Sequence, residues 1–223
     1  MTSSSRREWL IPTLLILLSA VPLAAGAVRV GELAGGAQIT PDNARFLASP
    51  APVVLHIISS GLYCVLGAFQ FVPGIRRRRI GWHRTAGRLL VPLGLAAALS
   101  GLWMTVFYAI PEGDTGLLTV IRLVFGTAMA LSLVLGLAAV RRRDIARHGA
   151  WMIRGYAIGL GAGTQVLTHL PWTLFIGTPG EFSRAMLMGA GWVVNVAVAE
   201  WVIRGRPAGS ARPRPASRVE GTR

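Results

Sequence analysis

The side chains of this sequence best suited to hold an iron or to move a proton near neutral pH are its four histidines, His56, His83, His148 and His169. Two of them sit in arginine-rich stretches, "RRRRIGWHRTAGR" (Arg76 to Arg88) and "RRRDIARHGAWMIRGYA" (Arg141 to Ala157). His83 and His148 thus stand among Arg84, Arg88, Arg147 and Arg154, whose guanidinium forks match phosphate and carboxylate. The chemistry this offers is capture of an anion. The chain contains no lysine, which excludes a Schiff-base lysine and the lysine of a phosphate-binding loop. Its lone cysteine, Cys64, has no intrachain disulfide partner and reads as a buried, inert thiol. No catalytic residue set or protein-bound metal is read from these side chains, so an enzyme is the less favoured class.

The elements that must carry these groups are membrane helices. The chain has 223 residues, 52% of them hydrophobic and only 14% charged, and its mean hydropathy of +0.53 lies outside the balance of a soluble domain. Six apolar runs are long enough to span a bilayer, where about 20 residues suffice: Trp9–Val30, Pro52–Pro73, Leu89–Ile110, Gly116–Val140, Trp151–Ile176 and Arg184–Ile203. The expectation is an all-α, polytopic membrane helical bundle of six transmembrane helices over residues 9–203. A cytoplasmic N-terminus (1–8) precedes it and a disordered, basic, cytoplasmic tail (204–223) follows it.

A net charge of +14 invites a nucleic-acid reading, but its distribution argues otherwise. Arginines gather at Arg6 and Arg7, at Arg76 to Arg88, at Arg141 to Arg154 and in the tail; the alternate loops hold Arg29, Arg45 and Arg184 beside Glu32, Asp42, Glu112, Asp114 and Glu181. Such asymmetry is the positive-inside pattern, placing the chain in a cell membrane with both termini in the cytoplasm and the basic loops against anionic lipid headgroups. No nucleic-acid partner is expected. Arg6-Arg7 and the Ala25-Gly26-Ala27 triplet resemble parts of a secretory signal, yet the apolar stretch is longer than a signal core, so an uncleaved first helix is expected.

A polar side chain in hydrocarbon must face a partner or a cavity, so polar stripes mark inward faces. In the second run His56, Ser60, Tyr63, Gly67 and Gln70 recur at steps of four and three, a band roughly 80° wide on a helix. In the fifth, Gly155, Gly159 and Gly163 form a small-residue ridge suited to close helix contact, within the bundle or between copies in a homo-oligomer. Its other face carries Arg154, Gly161, Gln165, Thr168 and Trp172, with His169 at the edge. The sixth adds Asn195, and the fourth adds Arg122, which could snorkel toward Asp114 or Glu112.

Set one above the other, Arg76 to His83 and Arg141 to His148 agree at three arginines, the isoleucine and the histidine. Helices two–three and four–five would then be parallel repeats about an axis along the membrane normal, bringing His83 and His148 face to face at the cytoplasmic surface. The same register sets His56 close in depth to Arg122.

Three ordered segments, "HIISSGLYCVLGAFQF" (His56 to Phe71), "HRTAGR" (His83 to Arg88) and "RRDIARHGAWMIRGYA" (Arg142 to Ala157), resemble those of the bacterial membrane-protein family called domain of unknown function 2306. The resemblance covers roughly Pro52 to Thr173. It implies a multi-pass membrane protein in which His56, Gln70, His83, Arg88, His148, Trp151, Met152 and Arg154 are motif positions, and it implies no reaction.

Three functions compete. In the first, a binding or transport module, His83, Arg84, Arg88, His148 and Arg154 hold an anionic group while His56, Tyr63, Gln70 and Gln165 line a cavity above them. In the second, an electron carrier with b-type haem, His56 pairs with His169 and His83 with His148. Against the haem reading, His148 and His169 are 21 residues apart, or ~32 Å along a helix, which puts the inner pair in the headgroups. The third is a structural or subunit-interaction protein using the glycine ridge.

Overall fold

The computed structural model describes residues 3–111, 114 and 116–206, with side chains from Glu8 onward. Among the described residues all regular structure is helical: α1 (Ser3–Ala34), α2 (Ala44–Ala48), α3 (Pro50–Ala68), a single 3₁₀ turn (Phe69–Phe71), α4 (Pro73–Arg78), α5 (Ile80–Phe107), α6 (Gly116–Arg141), α7 (Ile145–Gly159), α8 (Gly161–Phe175) and α9 (Glu181–Arg204). Five of these segments, containing α1, α3, α5, α6 and α9, are long and apolar enough to cross a membrane. Their outward faces carry apolar residues such as Leu14, Leu17, Leu55, Ile58, Leu99, Val124 and Leu131, all exposed, as lipid contact requires.

The fifth apolar run, expected as one helix over Trp151–Ile176, is instead two helices of 15 residues that meet at Leu160. Glycines flank the join on both sides, and Leu160 takes φ −75° and ψ −3°, flatter than a regular helix. The Gly163 N–H reaches back only three residues, to the Leu160 carbonyl at 3.0 Å. The break leaves backbone oxygens for other donors: Asn195 Nδ2 donates to the Ala157 carbonyl at 3.0 Å, and the Cys64 thiol to the Gly159 carbonyl at 3.6 Å. Satisfying a freed carbonyl from neighbouring helices is what allows such a break at membrane depth.

Other boundaries move for local reasons. α5 starts at Ile80, well before the expected Leu89, because hydropathy marks only the apolar part of a helix and the polar "HRTAGR" segment continues it past that limit. The second run ends its α-helix at Ala68, tightens into the 3₁₀ turn and becomes extended at Val72, φ −75° and ψ 112°. Val72 precedes Pro73, whose ring disfavours a helical residue before it. The tail expected to be disordered lies outside the described residues from position 207 onward.

The helices pack as antiparallel neighbours, α3 against α5, α6 against α7 and α8 against α9, with α1 laid over α3 and α8. Trp9, Phe69 and Trp82 meet edge to face, Trp9 to Phe69 at 6.2 Å and Phe69 to Trp82 at 6.5 Å, which brings the start of α1, the end of α3 and the start of α5 to one end with the arginine-rich loops. At the far end the Tyr108 hydroxyl donates to the Ser49 carbonyl at 2.5 Å. α9 runs beside both α7 and α8: Arg154 meets Glu200, Thr164 meets Asn195, and Thr168 meets the Leu187 carbonyl. Two short helices therefore traverse, in one direction, the length covered by a single 24-residue helix.

The glycine ridge is filled within the chain. Gly155 faces Leu133 and Ser132 of α6, Gly159 faces Tyr63 of α3 and Met129 of α6, and Gly163 lies against the Leu18 backbone of α1. These are the close approaches that small residues permit in a membrane bundle.

Candidate functional site

A cavity of about 560 Å³ opens at the end opposite the arginine-rich loops and descends to the break between α7 and α8. Most of its wall is apolar, with Leu23, Ile57, Leu102, Met129, Leu160 and Trp192 among the lining side chains. Its polar groups are few and placed by different helices, as in a small-molecule site.

Three members of the α3 stripe, His56, Ser60 and Tyr63, line this cavity, and Gln165 lines it from α8. His56 Nδ1 lies 2.9 Å from the Ala97 carbonyl. A carbonyl can only accept, so Nδ1 carries the proton in the neutral ring and Nε2 is left as an acceptor. The Ser100 hydroxyl is 3.3 Å from the same Nδ1, and its own proton goes to the Ala96 carbonyl at 2.6 Å. Gln165 is held by its amide, which donates to the Met188 carbonyl at 3.1 Å.

The lower half of the stripe does other work. Gly67 packs under the Tyr156 ring, where a side chain would collide, and Gln70 falls in the 3₁₀ turn with its Nε2 buried and unpartnered among the described residues. Tyr156 donates to the Cys64 carbonyl at 2.6 Å, and its ring stands 5.7 Å from Tyr63 and 5.0 Å from Phe71. This aromatic plug closes the bundle below the cavity. Gln70 is thereby separated from the His56 end of its own stripe, a correction to the continuous lining expected over five positions.

At the cavity mouth Asp114, its side chain only 1% exposed, accepts from two arginines of different helices. Arg122 Nη1 of α6 is 2.8 Å from Oδ2, and Arg184 Nε of α9 is 2.8 Å from Oδ1. Arg122 therefore reaches Asp114, as snorkelling predicts; Arg184 as a second partner has no signal in local spacing. Arg45 of α2 joins the rim with its guanidinium 4.6 Å above the Phe46 ring. Burial holds its pKa below the ordinary arginine value, partly offset by the attraction of Asp114.

The arginine-rich end holds the other expected cluster. His83 lies within electrostatic reach of Arg76, His148 and Arg84, so the two loop histidines lie at the same end of the bundle. Its Nδ1 is buried without a partner among the described residues, whereas His148 Nδ1 is 2.9 Å from the Gly136 carbonyl. Arg84 and Arg88 are exposed. Arg154 is already committed: its Nε and Nη2 fork onto Glu200 at 2.6 and 3.1 Å, and its guanidinium stacks 4.7 Å over Trp151. Arg154, expected to offer donors to an anion, thus already has its fork on Glu200. The acidic Glu200, within an otherwise apolar run, was the available signal for it.

The fourth histidine is apart from these groups. His169 Nδ1 lies 2.8 Å from the Gln165 carbonyl one turn back, its Nε2 is buried without a partner among the described residues, and it does not line the cavity that His56 lines.

No curated protein and no solved structure matches the chain. A family model described as "Predicted membrane protein (DUF2306)" matches residues 53–203, a longer stretch than the Pro52 to Thr173 segment whose motifs carried the resemblance, and one that takes in His169, Asn195 and Glu200. The chain, a multi-pass membrane protein, therefore belongs to the family called domain of unknown function 2306.

Proposed function

We propose that this protein is a binding module of transport type, crossing the membrane six times with both ends in the cytoplasm and taking a small molecule into the bundle from the opposite side. Five crossings are the long helices, and the sixth is the α7–α8 pair, which follows α9 in one direction along its length. The observation that carries the reading is the cavity itself, a largely apolar chamber whose polar groups converge from α3, α6, α8 and α9 and whose floor is a broken helix. Discontinuous helices at the midplane are a recurring way to build substrate sites in transporters. The positive-inside distribution of arginines supports the orientation. The two hairpins α3–α5 and α6–α7 carry His83 and His148 at the same end of the bundle, which supports a parallel repeat. In this arrangement the Tyr156 plug separates the cavity from the His83/His148 cluster, which serves as the anionic-ligand contact on the cytoplasmic side.

Cysteine labelling tests this. In a Cys64→Ala background, Thr105→Cys places a thiol in the cavity wall. A membrane-impermeant thiol reagent added to the outside of spheroplasts is expected to label it, with Ser132→Cys, buried outside the cavity, unlabelled. Labelling of Thr105→Cys only from the cytoplasmic face, or not at all in folded protein, overturns the proposal.

A further inference from the structure

The cavity is built unevenly along its length, and this bears on what would enter it. At the rim, three arginines, Arg45, Arg122 and Arg184, meet one carboxylate, Asp114, among the described lining residues. Asp114 spends both oxygens on Arg122 Nη1 and Arg184 Nε, leaving the remaining guanidinium donors of each arginine unmatched by it. Arg45 feels the field of Asp114 and Arg122, and more weakly of Arg29 and Asp42, so the three rim cations share one local environment. Below the rim the walls turn apolar through Leu102, Met129 and Leu160, and Trp192 stacks on Phe125 at 5.1 Å to complete them.

Resting on the reading of this chamber as a ligand cavity, we infer that it takes a single-chain amphipathic anion: a phosphate or carboxylate head on Arg45, Arg122 and Arg184, and an alkyl or isoprenoid chain pointing toward the helix break at Leu160. An excess of guanidinium donors around one carboxylate favours a second anion, because hydrogen bonds between charged groups are stronger than those between neutral ones. The walls beneath the rim are mostly apolar, with Ser60, Tyr63 and Gln165 as scattered polar groups, so most of the ligand beneath the head is hydrocarbon. A volume of about 560 Å³ suits a ligand with one chain. His56 lines the same cavity, and its Nε2, an acceptor in the neutral ring, offers a partner to a protonated head or to a hydroxyl near it.

The test is saturable binding to the full chain in neutral-lipid nanodiscs, over empty discs, of four probes: dodecyl phosphate, dodecanol, butyl phosphate and dodecyltrimethylammonium. Dodecyl phosphate is expected to bind tightest. Arg45→Gln, which breaks no ion pair described here, is expected to weaken dodecyl phosphate about tenfold, as the loss of one charge-assisted contact predicts, and to leave dodecanol unchanged. Arg184→Gln serves as the second variant, with thermal unfolding as the check that it folds. Equal binding of dodecyl phosphate and dodecanol, insensitivity to both arginine changes, or preference for the ammonium probe overturns the anionic head while leaving the chamber as a ligand cavity. Equal binding of butyl and dodecyl phosphate overturns the chain. If none of the four binds, this inference fails; if in addition Ser60→Phe, which fills the chamber, leaves the labelling of Thr105→Cys unchanged, the ligand-cavity reading fails with it.

Discussion

Asn195 on α9 donates its side-chain amide to the carbonyl of Ala157 at 3.0 Å, just ahead of the point where α7 gives way to α8, and its Oδ1 accepts the Thr164 hydroxyl at 2.7 Å from the far side of the break. One residue thus bridges both halves of the interrupted helix. Asn195→Ala removes both bonds, and unfolding in bicelles is expected to show a loss of about 1 kcal/mol. Cys64→Ala removes only a weak thiol donor to Gly159 and is expected to cost less. Equal stability of Asn195→Ala and the parent would remove Asn195 as the clasp.

Asp114 joins α6 to α9 through two arginines that share no other acidic partner among the described residues. Asp114→Ala leaves both guanidiniums uncompensated and is expected to destabilise the fold on the order of 3 kcal/mol. Arg184→Gln, which leaves the Arg122 contact in place, is expected to cost less than half of that. The comparison is made by thermal unfolding of the purified variants at equal lipid content.

Arg154 and Glu200 form a forked pair across α7 and α9, each about a quarter exposed. A double-mutant cycle with Arg154→Gln and Glu200→Gln is expected to give a coupling of about 1 kcal/mol. The exchanged pair, Arg154→Glu with Glu200→Arg, is expected to recover part of the ion pair but not the stacking on Trp151, and so to remain below the parent.

The glycines of the bundle make a graded series. At Gly163 an added methyl meets the Leu18 backbone carbonyl, which cannot swing away, so Gly163→Ala is expected to cost ~1–3 kcal/mol. At Gly155 the nearest atoms belong to the Leu133 side chain at 3.2 Å, and a smaller loss is expected. Gly31 in α1 has nothing within 4 Å, so Gly31→Ala is expected to stabilise by up to about 1 kcal/mol through helix propensity. Any other ordering, read from unfolding midpoints, would contradict the packing of α1 over α8.

Much of this protein is written in its hydropathy. Apolar runs of membrane length, alternating arginine content and polar stripes fix a multi-pass helical protein, because hydrocarbon forbids unsatisfied backbone and penalises charge wherever it is not paired. That His83 and His148 share one end of the bundle was also legible, since two similar loops each link an apolar run to the next. The same local patterns placed His56, Ser60, Tyr63 and Gln165 on inward faces, and all four line the cavity.

What the tertiary structure alone decided were the long-range partners. Arg184 is 70 residues from Asp114, and Glu200 is 46 from Arg154; helical periodicity relates residues three or four apart and is silent about contacts between helices. For the same reason the stripe on α3 read as one continuous face, until Tyr156, arriving from α7, filled the space over Gly67 and ended the cavity there. Hydropathy cannot distinguish a continuous helix from a broken one when both are equally apolar, so the join at Leu160 appeared only once neighbouring helices supplied donors to its freed carbonyls. Composition determined that the chain belongs in a membrane; the packing of one helix on another determined where a molecule could enter it.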